Sequence, residues 1–371
     1  MKGPIYPVIV PRWGMTMEEG LLVAWRVEEG ARVAAGEELL EIETQKIANT
    51  VEAPQAGILR RQVGQAGQIY PCGALLGVIA EHSVPEEEIA AFVTEHAQAA
   101  RAEHRDLSAA APSKLEVKGH VLRFLKAGEG GTPVLLIHGL GGDKNNWLFV
   151  QPLLAQGRAT YAVDLPGHGE SSKDLTGINS FKDVADVLVA FLDQLAIPRV
   201  HLVAHSMGAA LALDLARRYA DRVASLTLLS PAGVGVAPSP EFISGFIAAK
   251  SRREMTAVLK MLLADERQVS SDMVNELLKY KRLDGAEAAL RRFAEFLSQE
   301  TRPASEALAE VKSKVHIIWG TRDSIIPPLN AGAFSSNVRL TLIEGAGHMP
   351  HLEKSARTAE AIEAALPQEA P

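Results

Sequence analysis

Ser206 has the local sequence of a nucleophile held on a sharp turn. The apolar run Val200 to Ala204 ends at His205-Ser206-Met207-Gly208, and small, helix-favouring residues follow. A strand, a tight turn and a helix in this order hold a serine hydroxyl clear of the backbone. Ala204 stands at the first glycine position of the full G-x-S-x-G pattern, so a methyl group must fit the crowded corner. Because S-x-G alone is equally typical of an ordinary turn between a strand and a helix, the interpretation depends on partners elsewhere in the chain.

Two such partners follow later strand-like runs. Asp323 comes just after the apolar run Val315 to Trp319, and His348 comes after the run Arg339 to Ile343. Serine is a weak nucleophile without a base, and an imidazole acts as that base when a carboxylate holds it in one tautomer. The order Ser206, Asp323, His348 is the order expected for the triad of an α/β-hydrolase.

The elements around these residues predict a sheet that can bring them together. After an opening hairpin, apolar runs alternate with helical patterns, which indicates a parallel sheet with helices on both faces. One such helix is Ser180 to Leu195, which begins with Ser180 and Asp183 in capping-box spacing. Active residues of such sheets lie at the carboxyl ends of strands. Ile137 is followed there by the glycine-rich turn His138-Gly139-Leu140-Gly141-Gly142, which can aim a backbone N–H at an oxyanion.

The C-terminal segment resembles α/β-hydrolases with a helical lid. The resemblance rests on five motifs in the right order: His138-Gly139, Asp164-Leu165-Pro166-Gly167-His168-Gly169-Glu170-Ser171, Ser206-Met207-Gly208, Gly320-Thr321-Arg322-Asp323 and Gly345-Ala346-Gly347-His348. It implies Ser206 as nucleophile, His348 as base and Asp323 as the group that orients the base. It also implies an oxyanion hole made by the backbone N–H groups of Leu140 and Met207. The helical patterns from about 236 to 301 are interpreted as the lid.

Other polar residues near the predicted cleft have a structural explanation. Asp164 follows a strand, but Pro166 and Gly167 after it indicate a turn. His351 is expected to open the final helix, and His168 and His205 are expected to shape the cleft. The remaining histidines have no ligand-like spacing to cysteine or carboxylates, so we predict no metal site.

The N-terminal eighty residues predict a small all-β domain. Short strand-like runs are separated by glycines, and helical periodicity is absent. Two of these runs flank Glu43-Thr44-Gln45-Lys46-Ile47-Ala48, which places Lys46 at a hairpin tip. A lysine in such a turn is most often a solvated surface charge.

The same segment resembles the lipoyl domains of 2-oxo acid dehydrogenase-type complexes. The matching residues are Pro11-Arg12-Trp13-Gly14-Met15-Thr16-Met17-Glu18-Glu19-Gly20, Trp25-Arg26-Val27, Gly30, Gly36 to Thr44, Glu52-Ala53-Pro54 and Gly57-Ile58-Leu59. The resemblance implies covalent lipoate on Lys46. Biotin carriers share the fold, but they usually have methionine on both sides of the lysine, where this chain has Gln45 and Ile47.

Length and composition favour two soluble domains. The chain has 371 residues, 47% of them hydrophobic, and a net charge of −7 without a basic cluster, which disfavours nucleic-acid binding. Its single cysteine, Cys72, fits a reducing compartment, and neither a signal peptide nor a membrane span is legible, so we expect a cytoplasmic protein. We predict a carrier domain over 1–80, an Ala/Glu/Pro-rich flexible linker with one short amphipathic helix over 81–113, and the hydrolase domain over 114–371.

A lipoyl domain joined to an α/β-hydrolase domain resembles the dihydrolipoamide acetyltransferase components of acetoin dehydrogenase complexes. This resemblance implies acetyl transfer from lipoyl-lysine to coenzyme A. It also implies a thiamine-diphosphate-dependent acetoin dehydrogenase component and dihydrolipoamide dehydrogenase as partners, and a homo-oligomeric state. The H-x-x-x-D-G signature of the usual acyltransferase domain is missing from this sequence. Two alternatives stay open: an esterase or thioesterase with a lipoyl attachment domain, and a carrier subunit whose hydrolase domain only scaffolds.

Overall fold

The structure is a computed structural model that describes residues 4–10, 19–43, 48–94, 112–299 and 302–366. The chain divides into two compact units, 1–109 and 110–371. Each unit has its own hydrophobic core. The domain limits given above, including the linker over 81–113, remain predictions.

The smaller unit is built from two four-stranded antiparallel sheets, in the orders β1-β8-β6-β3 and β5-β4-β2-β7. Its strands are β1 (Ile5–Ile9), β2 (Glu19–Trp25), β3 (Arg32–Val33), β4 (Glu38–Glu43), β5 (Ala48–Glu52), β6 (Gly57–Gln62), β7 (Ile69–Pro71) and β8 (Leu75–Ala80). The inward side chains of both sheets, among them Leu22, Leu40 and Leu76, are fully buried. The predicted all-β fold is confirmed. Strands β1, β3 and β7 were not predicted.

The expected hairpin is present between β4 and β5. These strands pair antiparallel, and their last pair before the connection is Glu43 with Ala48. The four connecting residues include Lys46 and lie outside the described residues. The place of Lys46 at the hairpin tip therefore remains a prediction. It is supported by the connection, which joins two paired strand ends.

A short helix, α1 (86–94), packs on the smaller unit. Ile89 is fully buried and contacts the apolar side chains of β8, with Phe92 and Val93 packed beside it. The Arg60 guanidinium donates to the backbone carbonyls of Glu81 and Val84. The first residues of the predicted linker therefore pack as part of the smaller unit.

The larger unit is an eight-stranded sheet in the order β16-β15-β14-β13-β11-β12-β10-β9. The strands from β11 to β16 run parallel, and β9 and β10 form an antiparallel hairpin at one end. Their bounds are β9 (Ser113–Val117), β10 (His120–Ala127), β11 (Val134–Ile137), β12 (Thr160–Val163), β13 (Val200–His205), β14 (Val223–Leu229), β15 (Lys314–Gly320) and β16 (Val338–Ile343). The central strands are buried on both faces, which explains why their sequences are mostly apolar rather than alternating.

Helices cover both faces of this sheet, and the sheet separates two apolar cores. They are α2 (Gln151–Leu154), α3 (Phe181–Gln194), α4 (Met207–Arg218), α9 (Ala304–Ala309), α10 (Pro350–Glu353) and α11 (Ser355–Glu363). The predicted capping box of α3 is wrong, because Ser180 makes no side-chain hydrogen bond to the helix backbone. Its hydroxyl instead donates to Asp183, whose carboxylate also accepts the backbone N–H of Asn179.

Four of the helices between β14 and β15 fall where the sequence suggests a lid. They are α5 (Pro240–Ala248), α6 (Arg252–Lys260), α7 (Ser271–Lys281) and α8 (Ala286–Ser298), and we call these helices and the segments that connect them the lid. Most lid aromatics are buried, including Phe242, Phe246, Phe293 and Phe296, and they join the main core. Within the described ranges, no helix has the length and apolar character needed to cross a membrane.

Candidate active site

Ser206 stands on a strained turn between β13 and α4. Its backbone has φ 51° and ψ −119°, in a region that non-glycine residues rarely adopt. Gly208 allows this turn, because a Cβ there would lie 2.5 Å from the carbonyl oxygen of His138 and 2.7 Å from that of Ile137. Ala204 is buried in mid-strand and pairs with Ile137 and Leu228, so its methyl group is accommodated. The turn leaves Ser206 partly exposed while its neighbours are buried.

The three residues predicted from their chain order form one hydrogen-bonded row. His348 Nε2 lies 2.9 Å from Ser206 Oγ, and His348 Nδ1 lies 2.8 Å from Asp323 Oδ2. Because a carboxylate only accepts, Nδ1 carries the proton and Nε2 is free to take one from the serine. The geometry is that of a nucleophile, a base and an orienting carboxylate.

Asp323 is buried and held by several donors. Its Oδ1 accepts the backbone N–H groups of Ile325 and Ile326, each at 2.9 Å, and Trp319 Nε1 donates to Oδ2 at 3.2 Å. Burial favours the protonated acid, but the neighbouring His348 and these backbone donors outweigh it and keep the pKa of Asp323 below its usual value. The carboxylate is therefore charged when it orients the base.

The two residues predicted to donate to the oxyanion lie beside the nucleophile. Met207 is the first residue of α4, and the first N–H groups of a helix have no partner within it. Gly139 passes so close to the nucleophile that a Cβ there would lie 3.1 Å from Ser206 Cβ, and Leu140 follows directly. These placements support the predicted pair of Leu140 and Met207.

The lid is attached to the loops that carry the triad. A Cβ on Gly141 would overlap the ring of Phe246, so this lid aromatic lies directly on the oxyanion turn. The backbone N–H of His348 donates to the carbonyl of Leu262, which follows α6, at 2.8 Å. Ser324, next to the triad acid, donates its hydroxyl to the carbonyl of Met261. The lid therefore contacts the turns of the acid, the base and the oxyanion donors.

Glu353 binds the base loop (residues 345–349) to the lid. Its Oε1 accepts the backbone N–H groups of Gly347 and Met349, and its Oε2 accepts that of Ala264 at 2.7 Å. Burial raises the pKa of this carboxyl. The sequence carries no sign of this role, because the acceptor sits on a four-residue helix and its partners are backbone groups.

The other histidines near the site are buried and take structural positions. His205 Nε2 lies 2.8 Å from the backbone carbonyl of His348, and His351 stacks on Trp147 with ring centroids 4.8 Å apart. His168 packs between His138 and Phe293, with centroids at 5.1 Å and 4.8 Å. Burial lowers the pKa of His168 and His351 to about 3. These rings are therefore neutral at ordinary pH.

Asp164 belongs to a buried ion pair below the oxyanion turn. It accepts the backbone N–H groups of Lys144 and Glu170, and the Lys144 ammonium lies 3.2 Å away from its Oδ2. The exposed fraction of both side chains is below 5%. The pair joins a residue just after the glycine-rich turn that follows β11 to the turn after β12. Among the side chains that the structure describes, no three His, Cys, Asp or Glu residues are grouped as metal ligands.

Two protein families match this chain in consecutive segments. Residues 7–79 match the family described as "Biotin-requiring enzyme", and residues 132–355 match the alpha/beta hydrolase fold. Among solved structures, a meta-cleavage product hydrolase from Pseudomonas fluorescens superposes with a TM-score of 0.62 at 22% identity, over 68% of this chain and 98% of that one. At this identity the likeness establishes the fold alone.

Two curated relatives match nearly the whole chain. The dihydrolipoyllysine-residue acetyltransferase component of the acetoin cleaving system of Cupriavidus necator is 40% identical, over 95% of this chain and 94% of its own length. The protein of the same description from Pseudomonas putida is 40% identical over 94% of this chain and 95% of its own length. Both match the carrier unit and the hydrolase unit together. The chain thus belongs to the family of dihydrolipoyllysine-residue acetyltransferase components of acetoin cleaving systems, with an α/β-hydrolase as its larger domain.

Proposed function

We propose that this chain transfers an acetyl group from lipoyl-Lys46 to coenzyme A, with Ser206 as the intermediate acceptor. The observation that supports the catalytic part most directly is the hydrogen-bonded row from Ser206 through His348 to Asp323. The carrier part rests on the hairpin between β4 and β5, which contains Lys46. A lysine in the connection of such a hairpin fits an amide-linked lipoyl arm, and that arm supplies an acyl thioester at its sulfur.

In the first half of the reaction, Ser206 takes the acyl group. His348 Nε2 accepts the hydroxyl proton while Ser206 Oγ forms a bond to the thioester carbon. The N–H groups of Leu140 and Met207 stabilise the oxyanion that develops on the carbonyl oxygen. The carbon–sulfur bond then breaks, and His348 returns its proton to the departing sulfur, which leaves as a thiol.

In the second half, the thiol of coenzyme A takes the acyl group from Ser206. His348 accepts the thiol proton, the sulfur bonds to the acyl carbon, and the bond from that carbon to Ser206 Oγ breaks as the oxygen regains a proton. Water competes for the same acyl-serine, so transfer needs a site from which water is excluded. Phe246, packed on Gly141, supports such a role for the lid.

The proposal also includes the setting of the reaction. The acyl group is expected to come from a thiamine-diphosphate-dependent component, and the reduced arm to be reoxidised by dihydrolipoamide dehydrogenase, in a complex of repeated copies of this chain. A reducing cytoplasm fits this chemistry, because the thiols of the reduced lipoyl arm and of coenzyme A stay reduced there.

The variant Ser206→Ala tests the catalytic part. We expect it to stop acetyl-coenzyme A formation from acetyl-dihydrolipoamide, while the lipoyl group on Lys46 is still acetylated by the upstream component. Ser298→Ala is the matched control, because Ser298 is exposed at the end of α8. Full transfer by Ser206→Ala would remove the triad from the pathway. Release of free acetate by the wild type in the presence of coenzyme A would instead favour a hydrolase.

Mass spectrometry of the intact chain, purified from its own cell, tests the carrier part. We expect the mass of one lipoyl group, mapped to Lys46 by peptide analysis and lost in Lys46→Arg. Biotin at this position, or an unmodified lysine in lipoate-replete cells, would contradict it.

A further inference from the structure

His205 is the last residue of β13 and the neighbour of the proposed nucleophile. Its side chain is buried, and its Nε2 lies 2.8 Å from the backbone carbonyl oxygen of His348. A carbonyl oxygen only accepts, so Nε2 carries the proton and donates it to this bond. The residue beside the nucleophile therefore holds the backbone of the base.

The base has both of its backbone polar groups engaged. Its carbonyl is bound by His205, and its N–H donates to Leu262 of the lid at 2.8 Å. The rings of His205 and His348 lie 4.9 Å apart at an angle of 57°. A shift of His205 would thus move the base relative to Ser206.

The other face of the His205 ring abuts the oxyanion turn. A Cβ on Gly139 would lie 3.0 Å from His205 Nδ1. On a third side the ring of His351 lies at 4.6 Å. Burial, with His351 and His348 close by, lowers the pKa of His205 well below its usual value. The ring is therefore a neutral spacer between the oxyanion turn and the base loop.

We propose that His205 is a positioning residue of the reaction, and that its Nε2–H bond to the carbonyl of His348 sets the distance between the base and Ser206. The inference rests on the proposed triad. It predicts that the rate of serine acylation depends on a donor at the position of Nε2, and not on polarity or bulk at residue 205 as such.

Two amide variants separate these causes. In His205→Gln the side-chain nitrogen lies as many bonds from Cα as Nε2 and can donate to the same carbonyl. In His205→Asn the nitrogen takes the place of Nδ1 and faces Gly139, which leaves the carbonyl of His348 buried without its donor. The two variants share the amide group and differ by one methylene group and by whether the carbonyl of His348 has a donor.

The measurement is the rate constant for labelling of Ser206 by a fluorophosphonate probe in the full-length chain, together with kcat and KM for acetyl transfer. A displacement of a catalytic group by about 1 Å can cost about 100-fold in rate. We expect His205→Asn to label about 10- to 100-fold more slowly than the wild type, with KM unchanged, and His205→Gln to recover most of that loss. Thermal unfolding confirms that each variant is folded, and His205→Leu replaces His205→Asn if the latter is not.

The outcomes are distinct. Equal labelling rates for the wild type, His205→Asn and His205→Gln would overturn the inference. Equally slow labelling of His205→Asn and His205→Gln would also overturn it, because the hydrogen bond would then not be the cause. Labelling that persists in Ser206→Ala would overturn the triad and the inference with it. Normal labelling of the wild type without acetyl transfer would refute only the proposed function.

Discussion

The variant Asp323→Asn tests the triad through the tautomer of its base. Oδ1 accepts two backbone N–H groups at 2.9 Å, so the asparagine oxygen must stay there and the new NH₂ must face His348 Nδ1. That NH₂ donates to Nδ1 and moves the imidazole proton to Nε2, 2.9 Å from Ser206 Oγ, where it blocks proton transfer. Reversing the amide would leave the donors of Ile325 and Ile326 unpaired, which costs about 2–6 kcal/mol together.

Loss of the carboxylate charge adds to this, because the charge stabilises the imidazolium that forms during the reaction. We therefore expect kcat for acetyl transfer to fall about 10⁴-fold, equivalent to about 5.4 kcal/mol in the barrier. The assay is acetyl-coenzyme A formation from acetyl-dihydrolipoamide, with circular dichroism to confirm folding. Glu344→Gln, an exposed carboxylate just before the base loop, is the control. A loss smaller than about tenfold would refute the assignment of Asp323.

Three further predictions concern stability. Lys144→Met leaves the charge of Asp164 buried without its cation, so the free energy of unfolding, measured by urea denaturation, should fall by about 3–5 kcal/mol. A change near zero would mean that the backbone donors alone stabilise the buried carboxylate. The pKa of His168 is about 3 in the folded chain, below the ordinary value, so the unfolded chain binds the proton first as the pH falls. Below pH 6.5 the wild type should therefore lose about 1.4 kcal/mol of its free energy of unfolding per pH unit through this ring. His168→Gln should show a shallower dependence between pH 7 and 5, and an unchanged slope would contradict the buried neutral ring. Gly320→Ala would overlap carbonyl oxygens of the base loop and should cost about 1–3 kcal/mol, while Gly332→Ala, with open space around it, should leave the unfolding midpoint unchanged.

Much of the larger unit could be predicted from the sequence because its strands are buried on both faces. The run Val134–Ile137 is entirely apolar, and Val200–His205 is apolar apart from two buried histidines; each ends in a turn with polar or glycine residues. In the smaller unit, Arg32–Val33 and Ile69–Pro71 are too short to show alternation, and Ile5–Ile9 has no such pattern either. Their pairing depends on neighbouring strands rather than on their own residues.

The residues of the candidate site divide in the same way. Ser206, Asp323 and His348 each stand in a motif after a strand, so their meeting could be expected from the parallel sheet. The contacts of His205 and Glu353 with the base loop and the lid could not, because they join a side chain to backbone groups that are distant along the chain. His205 binds a carbonyl 143 residues away, and Glu353 binds an N–H 89 residues away. No local pattern marks such an acceptor or donor, and only the folded chain shows it.

The hydrogen bond from His348 to the lid couples solvent access to the site with the reactivity of the base. The carbonyl of Leu262 accepts the N–H of His348. The carboxylate of Glu353 accepts both the N–H of Ala264 in the lid and the N–H of Gly347 in the base loop. Any movement that lifts this end of the lid breaks these bonds and releases the loop on which the imidazole stands. A site opened from this side would have a loosened base at the moment when bulk solvent enters, so a stored acyl group would be least reactive when it is most exposed. The other end of the lid, formed by α7 and α8, contacts Gly167 instead, and these contacts do not involve the base.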